Sequence, residues 1–338
     1  AKPLGGLPPH SQAYAGDPNG TPEEQREYEL ARRNFLALMF CLMVGTAGLP
    51  HLLTRYYTSP TVAGARASVA WSLFFIALLY LSAPALAVLV KFEVMQNLVG
   101  SSFEALPNWM AQWARVDSSL LSIEDVNGDG IVQFGEIRLG ADLIMLATPE
   151  LGGLPYVVSG LVAAGGLAAA LSTADGLLLT ISNALVRDLY FRGTKRDASP
   201  EQRVILTKFT LLTVALSAAF VAALKPSEIL TMVSASFSLA ASAFVPVMVL
   251  GIFWRGTTRK GAVAGMLAGL GVAVYYLLSH VPAVRAALPG WLLADGLWFG
   301  IQPISAGVFG VPAGFVAAAV VSRITRPAPV PTGVRLEI

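Results

Sequence analysis

Apolar residues gather in seven long runs along this chain, at residues 34–57, 68–90, 157–185, 204–224, 229–254, 262–278 and 304–321, with polar or proline-rich stretches between them. An α-helix rises about 1.5 Å per residue, so roughly 20 apolar residues cross the ~30 Å hydrocarbon core of a bilayer. The pattern predicts an all-α membrane protein with about seven transmembrane helices. The first run is interrupted by GTAGLPH, where Gly45, Gly48 and Pro50 lie close enough together to loosen the helix at mid-membrane. Irregular backbone at that depth is tolerated only where protein buries it or where it lines a cavity, and transporters build solute sites from such broken helices. Gly45, Thr46, Ala47, Gly48 and Leu49 are therefore candidate substrate-binding residues, acting through backbone groups. The alternative is a proline kink with glycine packing.

The third run contains AALSTADGLLLT, residues 169–180. Residues three and four apart share a helix face, so Ala169, Ser172, Thr173 and Gly176 form one stripe. Two adjacent hydroxyls and a backbone carbonyl beside small residues offer a dehydrated Na⁺ the hard oxygen donors it needs. Asp175 adds a carboxylate at a depth where an ionisable group is costly and is a functional hypothesis by default. A plainer reading has Ser172 and Thr173 bonding back to their own helix or bridging to a neighbour.

Between the second and third runs, residues 92–153 include DVNGDGIVQFGE, which satisfies the EF-hand loop pattern at its fixed positions. Asp125, Asn127 and Asp129 supply side-chain oxygens, Gly130 the sharp turn and Ile131 a carbonyl. Gln133 ligates directly or through water, and Glu136 closes the site with two oxygens, matching the six to eight oxygens Ca²⁺ takes. The segment after Gly135 reads as an exiting helix, while the one before Asp125 is short for an entering helix. EF-hands normally come in pairs and this one is single. The expectation is a weak, structural Ca²⁺ site in an outer loop; the alternative is an acidic turn.

Composition closes off other classes. Hydrophobic residues make up 55% of the chain and charged ones 13%, which excludes a soluble domain. The one cysteine, Cys41, lies in an apolar run, so disulfides play no part. His10, His51 and His280 are scattered, and no catalytic triad, metal-hydrolase cluster or phosphate loop is present, which argues against an enzyme. Lys and Arg concentrate after the odd runs: Arg55 and Arg66, then Arg187, Arg192, Lys195, Arg196 and Arg203, then Arg255, Arg259 and Lys260, then Arg323, Arg326 and Arg335. By the positive-inside rule the amino-terminal segment is outside and the carboxyl terminus cytoplasmic, in the cell (plasma) membrane. Trp109, Trp113, Trp254, Trp291 and Trp298 stand where tryptophans mark the membrane interface. The resulting divisions are an extramembrane segment 1–33 ending in a polar helix capped by Thr21, two spans in 34–91, the outer loop 92–153, five spans in 154–325 and a disordered tail 326–338. With no signal segment at its start, the chain reads as lacking its natural beginning.

Three stretches carry a resemblance to a known family: GTAGLPHLLTRYYT at 45–58, GLPYVVSGLVAAGGLAAALSTADGLLLTISNALVRDLY at 153–190 and GIFWRGTTRKGAVAGMLAG at 251–269. They resemble the sodium:solute symporters, in particular the cation–acetate symporter branch, across about residues 34–319. The resemblance implies the LeuT-type fold of two inverted five-helix repeats, with runs one to five as the second repeat and the last two as trailing helices. It assigns Ala169, Ser172 and Thr173 to the sodium site, the alanine through its carbonyl. Asp175 and Gly176 fall where some members bind a second sodium through serines. The aspartate departs from that pattern and leaves a second cation, a proton or an ion pair open. The first repeat is absent from the chain, so its partner would be the missing amino-terminal half of the same transporter. The implied activity is uptake of a short monocarboxylate such as acetate with Na⁺. The rivals are a proton-coupled carrier using Asp175 and a membrane-anchored Ca²⁺-binding module without transport.

Overall fold

The computed structural model describes residues 14–56, 59–118, 120–140, 143–191, 193, 199–224 and 227–325. The expectations for the first residues and for the tail 326–338 lie outside the described residues. The elements in order are α1 (Pro22–Gly48), α2 (Pro50–Tyr56), α3 (Val62–Glu93), α4 (Asn108–Val116), β1 (Leu121–Ile123), β2 (Ile137–Leu139), α5 (Ile144–Leu151), α6 (Tyr156–Asn183), α7 (Pro200–Ala223), α8 (Ile229–Phe253), α9 (Arg259–Leu278), α10 (Pro282–Ala287) and α11 (Gly307–Ile324). Two helices end in π-helical turns, α3 in Val94–Leu98 and α6 in Ala184–Phe191. Among the described residues seven helices, one for each apolar run, are long and apolar enough to cross a membrane, which makes this a multi-pass, all-α membrane protein.

The chain divides into two compact units, residues 56–228 and residues 14–55 with 229–325. In the first, α3, α6 and α7 are long apolar rods with almost no buried surface, a surface suited to lipid or to other helices. The interior of this unit sits in the segment between α3 and α6. Val90, Val94 and Leu98 at the end of α3 pack with Met110 of α4, Leu121 of β1, and Leu143 and Ala147 at α5. Trp109 and Trp113 pack against that core, and Trp113 donates from Nε1 to Glu150 Oε2 at 3.1 Å. These two tryptophans thus serve the loop's own interior, because their indoles close the apolar side of α4.

In the second unit α1, α8, α9 and α11 pack on one another through small residues. Gly261, Gly265 and Gly269 recur every fourth position on α9 and meet Gly310, Gly314, Ala318 and Ser322 of α11. Side chains this small let backbones approach closely, the usual basis of helix contact in membranes. A Cβ at Gly269 would lie 3.0 Å from the Gly310 carbonyl oxygen and closer still to that of Ser242 on α8. Near the end of α9, Tyr276 donates to the Ile301 carbonyl at 2.6 Å and accepts from the Trp298 amide at 3.0 Å. Trp298 stacks into a cluster with Tyr276 and Phe309, whereas Trp291 is exposed. Thr21 caps α1 as the sequence predicts, in a capping box with Glu24. The polar helix that follows runs without a break into the first span.

Candidate ion and solute sites

α6 carries the predicted ion stripe. It begins after Pro155 and has no interior proline, so its hydroxyls keep helical spacing along 28 residues. Ala169, Ser172, Thr173 and Asp175 are placed on this helix with Gly176; Ala169, Ser172 and Thr173 are exposed. The Thr173 hydroxyl donates to the Ala169 carbonyl at 3.2 Å, which sets two oxygens side by side on one face. That is the back-bond of the plainer reading, and it also pairs the two donors that the sodium reading needs. Two turns further on, Thr180 repeats the motif on the Gly176 carbonyl at 2.7 Å. Thr180 is a donor that the stripe of small and hydroxyl residues did not single out, although its spacing of seven from Thr173 puts it on the same face.

The break predicted in the first run is present. α1 ends at Gly48, Leu49 is extended (φ −69°, ψ 117°) and α2 starts at Pro50. Pro50 has no N–H, so the Thr46 carbonyl has no donor four residues on. The five candidate substrate residues separate into two faces. Gly45 and Gly48 are buried against α8, where a Cβ would meet the Phe237 carbonyl or Val245 and the Ala240 carbonyl. Thr46 and Ala47 are exposed, Leu49 is half-buried, and the Thr46 hydroxyl bonds to the Leu42 carbonyl at 2.7 Å. Glycine packing therefore explains Gly45 and Gly48, and the free face belongs to Thr46 and Ala47. His51 is buried beside the break. The ion stripe lies in one unit and the broken helix in the other.

The acidic loop is built on its own amides. Asp125 accepts the Gly128 and Gly130 N–H groups at 2.7 and 2.9 Å, and Asn127 accepts that of Asp129 at 3.0 Å. Asp129 accepts the Ile131 N–H at 2.8 Å, and the Asn127 and Gln133 side-chain amides at 2.9 and 2.8 Å. The Ile131 amide beside it, with smaller help from those side chains, holds the Asp129 carboxyl below its ordinary range. Glu136 is buried and accepts the Val126 and Gln133 N–H groups at 3.0 and 2.9 Å. Gly128 and Gly130 take positive φ near 70°, as the sharp turn requires. The predicted exiting helix is not formed. A single 3₁₀ turn, Phe134–Glu136, leads into β2, which pairs antiparallel with β1 in the register Leu121↔Leu139 and Ile123↔Ile137. Leu139 and Ile137 reach the loop core by pairing with β1, and Gly140 follows at once, so no amphipathic helical face remains for those residues. Among the described residues, no three His, Cys, Asp or Glu side chains converge as a metal site.

Residues 146–269, which hold α6, α7, α8 and the first half of α9, match the model of the sodium:solute symporter family. This segment belongs to that family. The symporter segment includes the whole predicted ion stripe, and the family is one of transporters, not enzymes. Over 307 residues the chain is 59% identical to an uncharacterized symporter of Cupriavidus necator, covering 90% of this chain and 44% of that protein. It is 28% identical over 301 residues to a monocarboxylic acid transporter of Corynebacterium glutamicum, covering 87% of this chain and 47% of that one. A high-affinity proline transporter of Bacillus subtilis is 33% identical over 149 residues, 41% of this chain and 32% of its own length. The chain thus spans about half the length of the first two of these relatives. No solved structure matches it.

Proposed function

We propose that this chain forms part of a secondary transporter that couples Na⁺ entry to uptake of a short monocarboxylate such as acetate. The observation that carries the reading is the pair of oxygens on α6, the Ala169 carbonyl and Thr173 hydroxyl, exposed on one face inside the symporter segment. Ser172 adds a third donor, and Asp175 takes a second cation or a proton. The exposed face of the broken helix, Thr46 and Ala47, with the Thr46 carbonyl deprived by Pro50 of its donor four residues on, offers the solute polar contacts at membrane depth. The likeness to a monocarboxylic acid transporter supports the solute class. Coupling follows if ion and solute stabilise the same occluded conformation, so that each raises the affinity for the other.

The reading extends to Ca²⁺ in the outer loop, where Asp125, Asn127, Asp129, Ile131, Gln133 and Glu136 provide an all-oxygen donor set of the kind Ca²⁺ selects. An ion there would hold the loop together in place of some of its amide contacts. The test of the transport reading is labelled-acetate uptake into vesicles under an imposed Na⁺ gradient, with the chain alone and fused behind the amino-terminal half of its Cupriavidus relative. Acetate entry driven by Na⁺ in the fusion is the expected result. Entry driven by a pH gradient without Na⁺ would shift the coupling to Asp175 and a proton. Absence of uptake for acetate, propionate and proline alike would overturn the transporter reading in favour of an anchored Ca²⁺-binding module.

A further inference from the structure

Four cations crowd one end of the second unit. Arg255 follows α8, Arg259 and Lys260 open α9, and Arg323 lies in the last turn of α11. Hydrogen bonds lock these three helix ends together. Thr258 Oγ1 meets Thr325 Oγ1 at 2.6 Å, the Thr258 amide donates to Ser322 Oγ at 3.1 Å, and Thr257 Oγ1 donates to the Trp254 carbonyl at 3.0 Å. All four basic side chains are exposed, and among the described residues none has an acidic partner. The sequence holds no Asp or Glu from 229 to 294 or from 296 to 336, so no carboxylate from α8, α9 or α11 faces them.

Two features separate this patch from an ordinary solvated face. Arg259 and Lys260 stand in the first turn of a 20-residue helix that has no acidic residue there. The positive end of a helix dipole disfavours cations, so their placement costs stability unless an anion neutralises it. Next to the cations the apolar surface resumes at once: Ile252, Phe253 and Ile324 are 68%, 82% and 75% exposed, with Trp254 half-buried between. A boundary between bare apolar side chains and unpaired cations is the level of a lipid headgroup, where each Lys or Arg contributes about 1 kcal/mol toward anionic lipid.

We propose that Arg255, Arg259, Lys260 and Arg323 form a binding site for the headgroup of an anionic phospholipid, with its acyl chains along Ile252, Phe253 and Ile324. The site is fixed by the Thr258–Ser322–Thr325 bonds, so it is presented without ordering a loop. It is independent of the transport reading, because it needs neither solute nor ion.

Native mass spectrometry of the full chain in detergent, offered phosphatidylglycerol against phosphatidylcholine, tests it. Wild type should retain phosphatidylglycerol preferentially, and the preference should fall with salt. Arg259→Gln with Lys260→Gln should weaken retention more than tenfold, at about fivefold per cation. Removal of four exposed cations elsewhere, Arg26, Arg32, Arg115 and Arg138, each to Gln, should leave it intact. Equal retention of the two lipids by wild type, or equal loss in the two variants, would overturn the site. Displacement of phosphatidylglycerol by millimolar inorganic phosphate would also overturn it, by showing a phosphate-ion site. If the double variant fails to fold, Arg323→Gln on the neighbouring helix and the salt dependence of wild type decide between the same outcomes.

Discussion

At Thr173 a hydroxyl and a carbonyl already stand 3.2 Å apart on a free helix face. A cation reaching that face gains two oxygens by turning one hydroxyl proton aside, without moving the backbone. Thr173→Ala removes one donor and keeps the carbonyl. The expected result is a rise of several-fold in half-saturating Na⁺ for uptake, about what loss of ~1 kcal/mol produces, with solute affinity at saturating Na⁺ little changed. Identical Na⁺ curves for the two proteins would remove Thr173 from the site. Two glycines on α9 show how a single position can be tied to packing. Gly269 is pressed between the Ser242 and Gly310 carbonyls, whereas a Cβ at Gly271 would meet nothing within 4 Å. Gly269→Ala should cost roughly 1–3 kcal/mol through overpacking. Gly271→Ala should be neutral or stabilising, since alanine favours a helix by up to about 1 kcal/mol. Thermal unfolding of both in one detergent compares them directly, and equal midpoints would mean that the α8–α9–α11 contact gives way freely.

Among the elements, the long helices were legible because burial in lipid leaves hydropathy as the dominant signal, and the break at Leu49 was legible because Pro50 cannot supply an N–H. What the sequence hid was the division of labour at that break. Gly45 and Gly48 turn toward α8, a tertiary contact that spacing cannot reveal. The loop between α3 and α6 misled in a different way. Its twelve-residue motif is local and was found, but its flanks take their form from β1 pairing with β2 and from a shared core with α3 and α5, residues far from one another in sequence. Trp113, read as an interface marker, is bonded to Glu150 for the same reason. For this loop the expectation is Ca²⁺ uptake by the full chain in calorimetry, abolished by Glu136→Gln, because the buried carboxylate supplies the two closing oxygens. A wild-type chain that binds no Ca²⁺ would end that reading. Asp129 adds a pH dependence. Its folded-state pKa is lowered, so its contribution to the loop is present above the ordinary carboxylate range and disappears only as pH falls through the lower folded value. Amide exchange at residues 129–131 should therefore stay slow at about pH 4, near the ordinary carboxylate value, and fast exchange there would contradict the Asp129–Ile131 bond.

For the whole molecule, direction across the membrane is what converts a set of helices into a transporter with an uptake side. Seven spans would put the start of α1 and the end of α11 on opposite sides, and from the Lys and Arg distribution we propose the direction that sets the loop between α3 and α6 outside and the α6–α7 connection inside. The same choice decides where the unpaired cations between α8, α9 and α11 meet lipid, since that end lies with the cytoplasmic leaflet only in this direction. The chain is suited to a direct measurement because its one cysteine, Cys41, is fully buried. Cysteines introduced as Ser118→Cys in the outer loop and Glu201→Cys at the start of α7 replace exposed residues, so each reports its own side over a silent background. A membrane-impermeant maleimide should label Ser118→Cys in intact cells and label Glu201→Cys only after permeabilisation. The reverse pattern would invert the topology, put the Ca²⁺ loop where that ion is scarce and turn proposed uptake into export. Labelling of both sites in intact cells would mean that the spans between them do not cross an odd number of times, and would break the correspondence of α6 with a membrane-crossing helix on which the ion site depends.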